Sequence, residues 1–254
     1  MPGKKNKDPD TLSIRQRNLL FAVVKEYCEF GNTVSSGVLK EKYGFEISPA
    51  TIRNEFIKLR ELEYLYQPFT NSSSQPTEKS FKLFINQLII GLQVTGRQQN
   101  ELRSQIMVLE EKHSNLQKEI SKLLSLETNS VGFAVDVNTE SIIGIKNLVS
   151  DPGDGKISDI LDFLENLDHH KQFLLGGENN HKFDKKNGLN AIFGLENPIL
   201  PIGRGYAMVT AKATVNNQET VFGIITQPHI LGRKKTLQLM NAINQILNEE
   251  TDSL

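Results

Sequence analysis

An α+β fold in unequal parts is predicted for this chain by three observations. Helix-period apolar patterns bounded by capping residues occupy residues 12–90. An apolar stripe, spaced alternately by four and three residues, runs from Leu102 to Leu123. Beyond residue 130, short apolar runs alternate with amphipathic stretches. At 254 residues the chain has room for two modest domains. The predicted organisation is a disordered tail (1–11), an N-terminal domain (12–90), a linker helix (97–127) and an α+β domain (130–250).

The first helix starts at Ser13, which stands at capping-box spacing from Gln16, and ends before Gly31. Leu20, Val23, Val24 and Tyr27 line one side of it. A second helix starts at Thr33 or Ser35, whose hydroxyls can accept free amides, and stops at Gly44. Only Phe45, Glu46 and Ile47 intervene before Ser48, a capping residue, and Pro49, placed where a missing N–H costs nothing. Short helix, tight turn and second helix form the arrangement that lays a recognition helix in the major groove of DNA.

The third helix sorts its faces. At about 100° per residue, Ile52, Phe56, Leu59 and Glu63 share one side, and Ala50, Thr51, Arg53, Asn54 and Lys58 share the other. Arginine pairs bidentately with guanine, asparagine with adenine, and alanine or a threonine methyl packs on thymine. Lys58, further along, suits a phosphate. A hairpin then pairs Tyr64–Gln67 with Gln75–Thr77 around a polar tip from Thr70 to Ser74. The N-terminal domain therefore reads as a winged helix-turn-helix whose partner is double-stranded DNA. Its candidate contacts are Ser35, Ser36 and Lys40; Ser48, Ala50, Thr51, Arg53, Asn54 and Lys58; and Thr70, Ser73, Ser74 and Gln75 in the wing.

From 97 to 127 one continuous helix is the natural reading. Leu102, Ile106, Leu109, His113, Leu116, Ile120 and Leu123 follow a heptad, which predicts a coiled-coil-like seam between two chains. The same stripe also suits packing on the chain's own C-terminal domain. His113 is a polar break whose charge would change near neutral pH.

In the last part, 130–137 and 141–149 read as a hairpin and 157–167 as an amphipathic helix. Short apolar pieces follow at 173–175 and 189–193. Strands at 206–215 and 220–226 precede a final helix at 233–248.

Net charge is −1, but residues 1–90 carry 13 Lys+Arg and 10 Asp+Glu while the remainder carries 16 and 20. This mild basic bias shifts the burden of DNA specificity to shape and to pairing of two chains. The single cysteine, Cys28, cannot form an internal disulfide and suits a reducing cytoplasm. No apolar run approaches the ~18–20 residues of a membrane span. His169, His170 and His181 with Glu178 and Asp184 lack metal-ligand spacing. No phosphate-loop or nucleophile motif occurs. The residues predict no metal, no cofactor and no enzyme.

The stretch from Leu12 to Leu88 resembles the N-terminal domain of HrcA, the bacterial heat-inducible transcription repressor. SPATIRNEF (48–56) and the pieces LYQPFT and PTEKSFKLF (65–84) carry the resemblance most specifically. A second match lies at FGLENPI and at AMVTAKATVNNQETVFGIITQP (207–228). The resemblance implies a reduced GAF-like C-terminal domain, a homodimer on an inverted-repeat operator of chaperone genes, and modulation by the chaperonin. Relatives dimerise through a domain inserted in the C-terminal half, for which the residues after 130 are too few, so pairing passes to helix 97–127. Two departures stand out. The family's Gly-Arg pair in the wing corresponds to Ser73 and Ser74, and its Pro-Thr-Arg-Met element survives only partly as Pro228, His229, Ile230 and Leu231. A ligand-sensing regulator of other genes, and a winged helix that binds protein, are the alternatives.

Overall fold

The computed structural model describes residues 12–69, 73–92, 96–111, 115–150, 157–176, 188–194, 202–203, 205–215 and 218–251. The predicted disordered tail lies outside them. The chain divides between Phe84 and Ile85 into two compact units.

In the first unit, α1 (Ile14–Phe30) opens with a complete capping box between Ser13 and Gln16 and closes at Gly31. Ser35 caps α2 (Ser36–Tyr43), and Ser48 caps α3 (Pro49–Glu61) with Pro49 in its first turn. Gly44 ends α2 with φ +62°, a conformation that lets the chain reverse and that glycine adopts without a Cβ penalty. Leu19, Leu20, Val23, Val24, Leu39, Ile52, Phe56 and Leu59 make the core of this unit. The register of α3 places Glu55 inside as well. Glu63 lies beyond the helix end with φ 61°.

Two short strands, β1 (Leu65–Tyr66) and β2 (Gln75–Pro76), pair antiparallel, and Val34 bridges to Ser74 beside them. Thr77 seals the base of this hairpin by donating its hydroxyl to the Glu63 carbonyl at 2.7 Å. Helix α4 (Glu78–Ile90) follows; Phe81 and Phe84 meet Tyr27 and Phe21 edge-on at 5.9 and 5.4 Å.

The second unit is built on a five-stranded antiparallel sheet in the order β4-β3-β7-β6-β5, from β3 (Val131–Val135), β4 (Glu140–Ile143), β5 (Leu189–Phe193), β6 (Ala207–Val215) and β7 (Gln218–Thr226). Side chains alternate between its faces. Phe133, Val135, Ile192, Met208, Val221 and Ile225 join one core with α7 (Lys146–Ser150), α8 (Ile157–Glu165) and α9 (Leu167–Gly176). The opposite face is covered by α6 (Leu116–Thr128) and α11 (Lys234–Thr251), with α5 (Gly96–Glu111) against α11 and α10 (Pro228–Leu231) at its start. Helix α6 comes so close to β3 that a Cβ on Gly132 would lie 2.1 Å from the Ser121 carbonyl oxygen. Only glycine fits there.

Three expectations change. The single helix over 97–127 is two helices, because Asn115 adopts an extended conformation and caps α6 by accepting from the Lys118 amide at 3.1 Å. The second run of the hairpin ends as a strand at Ile143 and continues as α7. Residues 173–175, with His169 and His170, belong to α9. The His170 ring stacks on Phe163 at 5.1 Å, and burial holds its pKa below the usual histidine range, helped by the His169 charge. Glu178, His181 and Asp184 lie outside the described residues.

Candidate nucleic-acid interface

Three helix turns of α3 present a continuous outer face. Ala50, Arg53, Asn54 and Lys58 are exposed on it, opposite the buried Ile52, Phe56 and Leu59. The helix starts cleanly because the Ser48 hydroxyl accepts from the Thr51 amide at 3.1 Å, a cap typically contributing ~1 kcal/mol. The same hydroxyl shares a 2.9 Å hydrogen bond with Thr51 Oγ1. Ser48 and the half-buried Thr51 therefore spend their hydroxyls on one another.

On α2, Ser35 is occupied as a cap, accepting from the Val38 amide at 3.3 Å. Ser36 is half-buried and Lys40 is exposed.

Beneath the outer face sits a carboxylate. Glu55 is 8% exposed; its Oε1 lies 3.5 Å from Lys58 Nζ and 4.0 Å from Arg15, while Oε2 is buried without a hydrogen-bond partner. Lys58 is thus partly tethered. On the neighbouring helices Tyr43 donates to Glu26 Oε2 at 3.1 Å, and Lys42 reaches the same carboxylate at 2.8 Å. Burial, then the Glu26 hydrogen bond and charge, push the Tyr43 hydroxyl well above its ordinary pKa.

The hairpin read as a wing departs from expectation. Ser74 is 2% exposed. Its amide donates to the Val34 carbonyl at 3.2 Å, its carbonyl accepts from the Val34 amide at 2.9 Å, and its hydroxyl accepts from Arg60 Nη1 at 3.3 Å. The sequence reading of Ser74 as a contact at the tip is therefore corrected: the bridge to Val34 extends the hairpin sheet one residue further and draws Ser74 inside. Gln75 is half-buried and its Oε1 accepts from the Tyr66 hydroxyl; Ser73 is half-buried. Thr70 lies outside the described residues.

Ile57 escaped the sequence reading. It is 45% exposed and lies on the outer face between Arg53 and Asn54. Its helical phase is the signal in the sequence, although isoleucine is neither small nor polar.

Four residues of the stripe assigned to dimerisation, Leu102, Ile106, Leu116 and Ile120, are buried within the chain's own second unit. Leu102 is 8% exposed, Leu116 2%, and Ile106 and Ile120 are fully buried. Leu123 is half-buried. Helix α6 packs on β3, β4 and β7, and α5 packs on α11, where Arg103 pairs with Glu249. Leu102, Ile106, Leu116 and Ile120 are thus covered within one chain. Leu109 falls in α5, and His113 lies outside the described residues.

No helix among the described residues is long and apolar enough to cross a membrane. No family model matches the chain. It is 36% identical over 140 residues to the heat-inducible transcription repressor HrcA of Clostridioides difficile, covering 52% of this chain and 38% of that protein. It is 42% identical over 91 residues to HrcA of Sorangium cellulosum, covering 36% of this chain and 26% of that one. The matched stretches thus span less than half the length of these relatives. A crystal structure of a hypothetical protein shares the fold, with a TM-score of 0.63 at 17% identity over 94% of this chain and 99% of that one. Over about half of its length, this chain is HrcA-like.

Proposed function

We propose that the chain is a sequence-specific DNA-binding transcription repressor, with α2, α3 and the β1–β2 hairpin forming a winged helix-turn-helix. The observation that carries this reading is the outer face of α3, where Arg53, Asn54, Ala50 and Ile57 stand exposed on a helix whose other side is buried. Two hydrogen-bonding side chains beside two apolar ones suit base edges and thymine methyls. Likeness to HrcA extends the reading to repression of chaperone genes in the cytoplasm from an inverted repeat, with the chaperonin as modulator.

Two copies on an inverted repeat require two-fold pairing. Because Ile106, Leu116 and Ile120 are already covered within one chain, pairing uses another surface. The second unit, an antiparallel sheet with helices on both faces, supports its reading as a reduced GAF-like domain.

Selection of genomic fragments on the immobilised protein, followed by sequencing, tests the proposal. Enrichment of one inverted repeat upstream of chaperone genes, lost with Arg53→Ala, is the expected result. Enrichment of an inverted repeat before unrelated genes would favour a different regulon, and no enrichment of any duplex would overturn DNA binding.

A further inference from the structure

The family's wing arginine is replaced here by Ser74, and Ser74 is 2% exposed, so neither the charge nor the access is available at that position. A guanidinium nevertheless reaches the place. Arg60, in the last turn of α3, donates from Nη1 to Ser74 Oγ at 3.3 Å, spanning the end of the helix and the start of the returning strand. We propose that Arg60 supplies the phosphate-contacting cation of this surface, with Ser74 as the positioning residue that aims it. The proposal rests on the DNA-binding reading above and adds a contact to it.

Four observations carry it. Ser74 is a fixed acceptor, since both its backbone groups are bonded to Val34. Arg60 itself is half-buried, so part of it stays open to solvent. No carboxylate among the described residues pairs with it, unlike Lys58, which Glu55 holds at 3.5 Å. Its helical phase matches the outer face: about two turns after Arg53, it falls within about 20° of that residue and about 10 Å further along the axis.

That placement selects phosphate over base. The start of a recognition helix approaches base edges, while its far end meets the flanking backbone. A planar guanidinium offers paired donors that match two phosphate oxygens, and a hydrogen bond to Ser74 leaves the rest of the fork for them. An arginine serving only as a brace for the hairpin would affect folding and leave ion release on DNA binding unchanged.

The experiment uses the full chain and a duplex of scrambled sequence, because a phosphate contact is blind to base order. The logarithm of affinity is measured against the logarithm of salt concentration for the wild type, Arg60→Ala, Arg60→Gln, Arg60→Lys and Ser74→Ala. Removing one phosphate contact lowers the slope by about 0.9. We expect that drop for Arg60→Ala and Arg60→Gln, the latter keeping a donor for Ser74 without the charge. Arg60→Lys keeps the slope. Ser74→Ala keeps the slope and weakens binding severalfold, because the cation remains but is no longer aimed. Thermal melting reports that each variant is folded, and Arg60→Gln carries the test if Arg60→Ala is not. Wild-type slopes in both neutral variants, with Lys58→Ala still weakening binding, would overturn the assignment to Arg60 alone. A wild type that binds no duplex would overturn the DNA-binding reading and this proposal together.

Discussion

The Gln117 carboxamide donates to Asp136 Oδ2 at 2.8 Å, fastening α6 to the tight loop between β3 and β4. Asp136 is 1% exposed, and it also accepts from the Asn138 and Thr139 amides at 2.7 and 2.6 Å and from the Thr139 hydroxyl at 2.8 Å. Burial by itself raises the carboxyl pKa, but the Thr139, Asn138 and Gln117 hydrogen bonds outweigh it and hold the pKa below its ordinary value. A carboxyl depressed on folding contributes stability that is fully present above its unfolded pKa and is lost as pH falls through the folded value. Stability should therefore drop below about pH 4. Asp136→Asn, which keeps the shape without the charge, should be less stable near neutrality and lose less on acidification. Melting temperatures across that range check this; parallel acid profiles for the two proteins would remove Asp136 from the account.

Arg53 and Asn54 are exposed in the first half of α3. Truncating either to alanine is expected to cost ~1–3 kcal/mol on the selected operator and to relax preference at a particular base pair. Lys58→Ala should weaken all duplexes alike. Competition binding with single-base operator variants distinguishes the two patterns, and an Arg53→Ala protein with unaltered base preference would show that the helix docks differently.

Introducing the family's arginine, Ser74→Arg, should not tighten DNA binding. Ser74 is 2% exposed and faces Arg60 at 3.3 Å, so the new guanidinium meets both a packed interior and a like charge. The expected outcome is destabilisation of the first unit by several kcal/mol, on the order of an uncompensated buried charge. Urea unfolding followed by helical circular dichroism measures it. A stable variant with a steeper salt slope would mean that the hairpin opens readily to expose position 74.

Leu116 is 2% exposed and Ile120 fully buried where α6 lies on the sheet. Leu116→Glu or Ile120→Glu should unfold the second unit, costing several kcal/mol. Hydrogen exchange along β3 and β7 would rise to the unprotected rate. Light scattering on a variant that keeps its exchange protection but halves its mass would instead restore the seam between two chains.

Much of the first unit is legible residue by residue because its signals act over one helical turn. Ser13 with Gln16, Ser35, Ser48 with Pro49, and Gly44 each satisfy or release backbone groups within a few residues, and all do so as their spacing predicts. The buried and exposed sides of α3 follow from period alone. Burial of Ser74 is different, since it depends on Val34, forty residues earlier in the chain, and on a side chain arriving from Arg60. The stripe from Leu102 to Ile120 shows the same divide. Spacing by three and four residues declares that a helix face will be covered, and at Leu102, Ile106, Leu116 and Ile120 it is. What covers it depends on the break capped by Asn115 and on a sheet whose strands lie far along the chain, with Gly132 leaving room for the Ser121 backbone. Capping and amphipathic period are written in neighbouring residues, whereas the partner of a buried face is selected by the three-dimensional packing of distant ones.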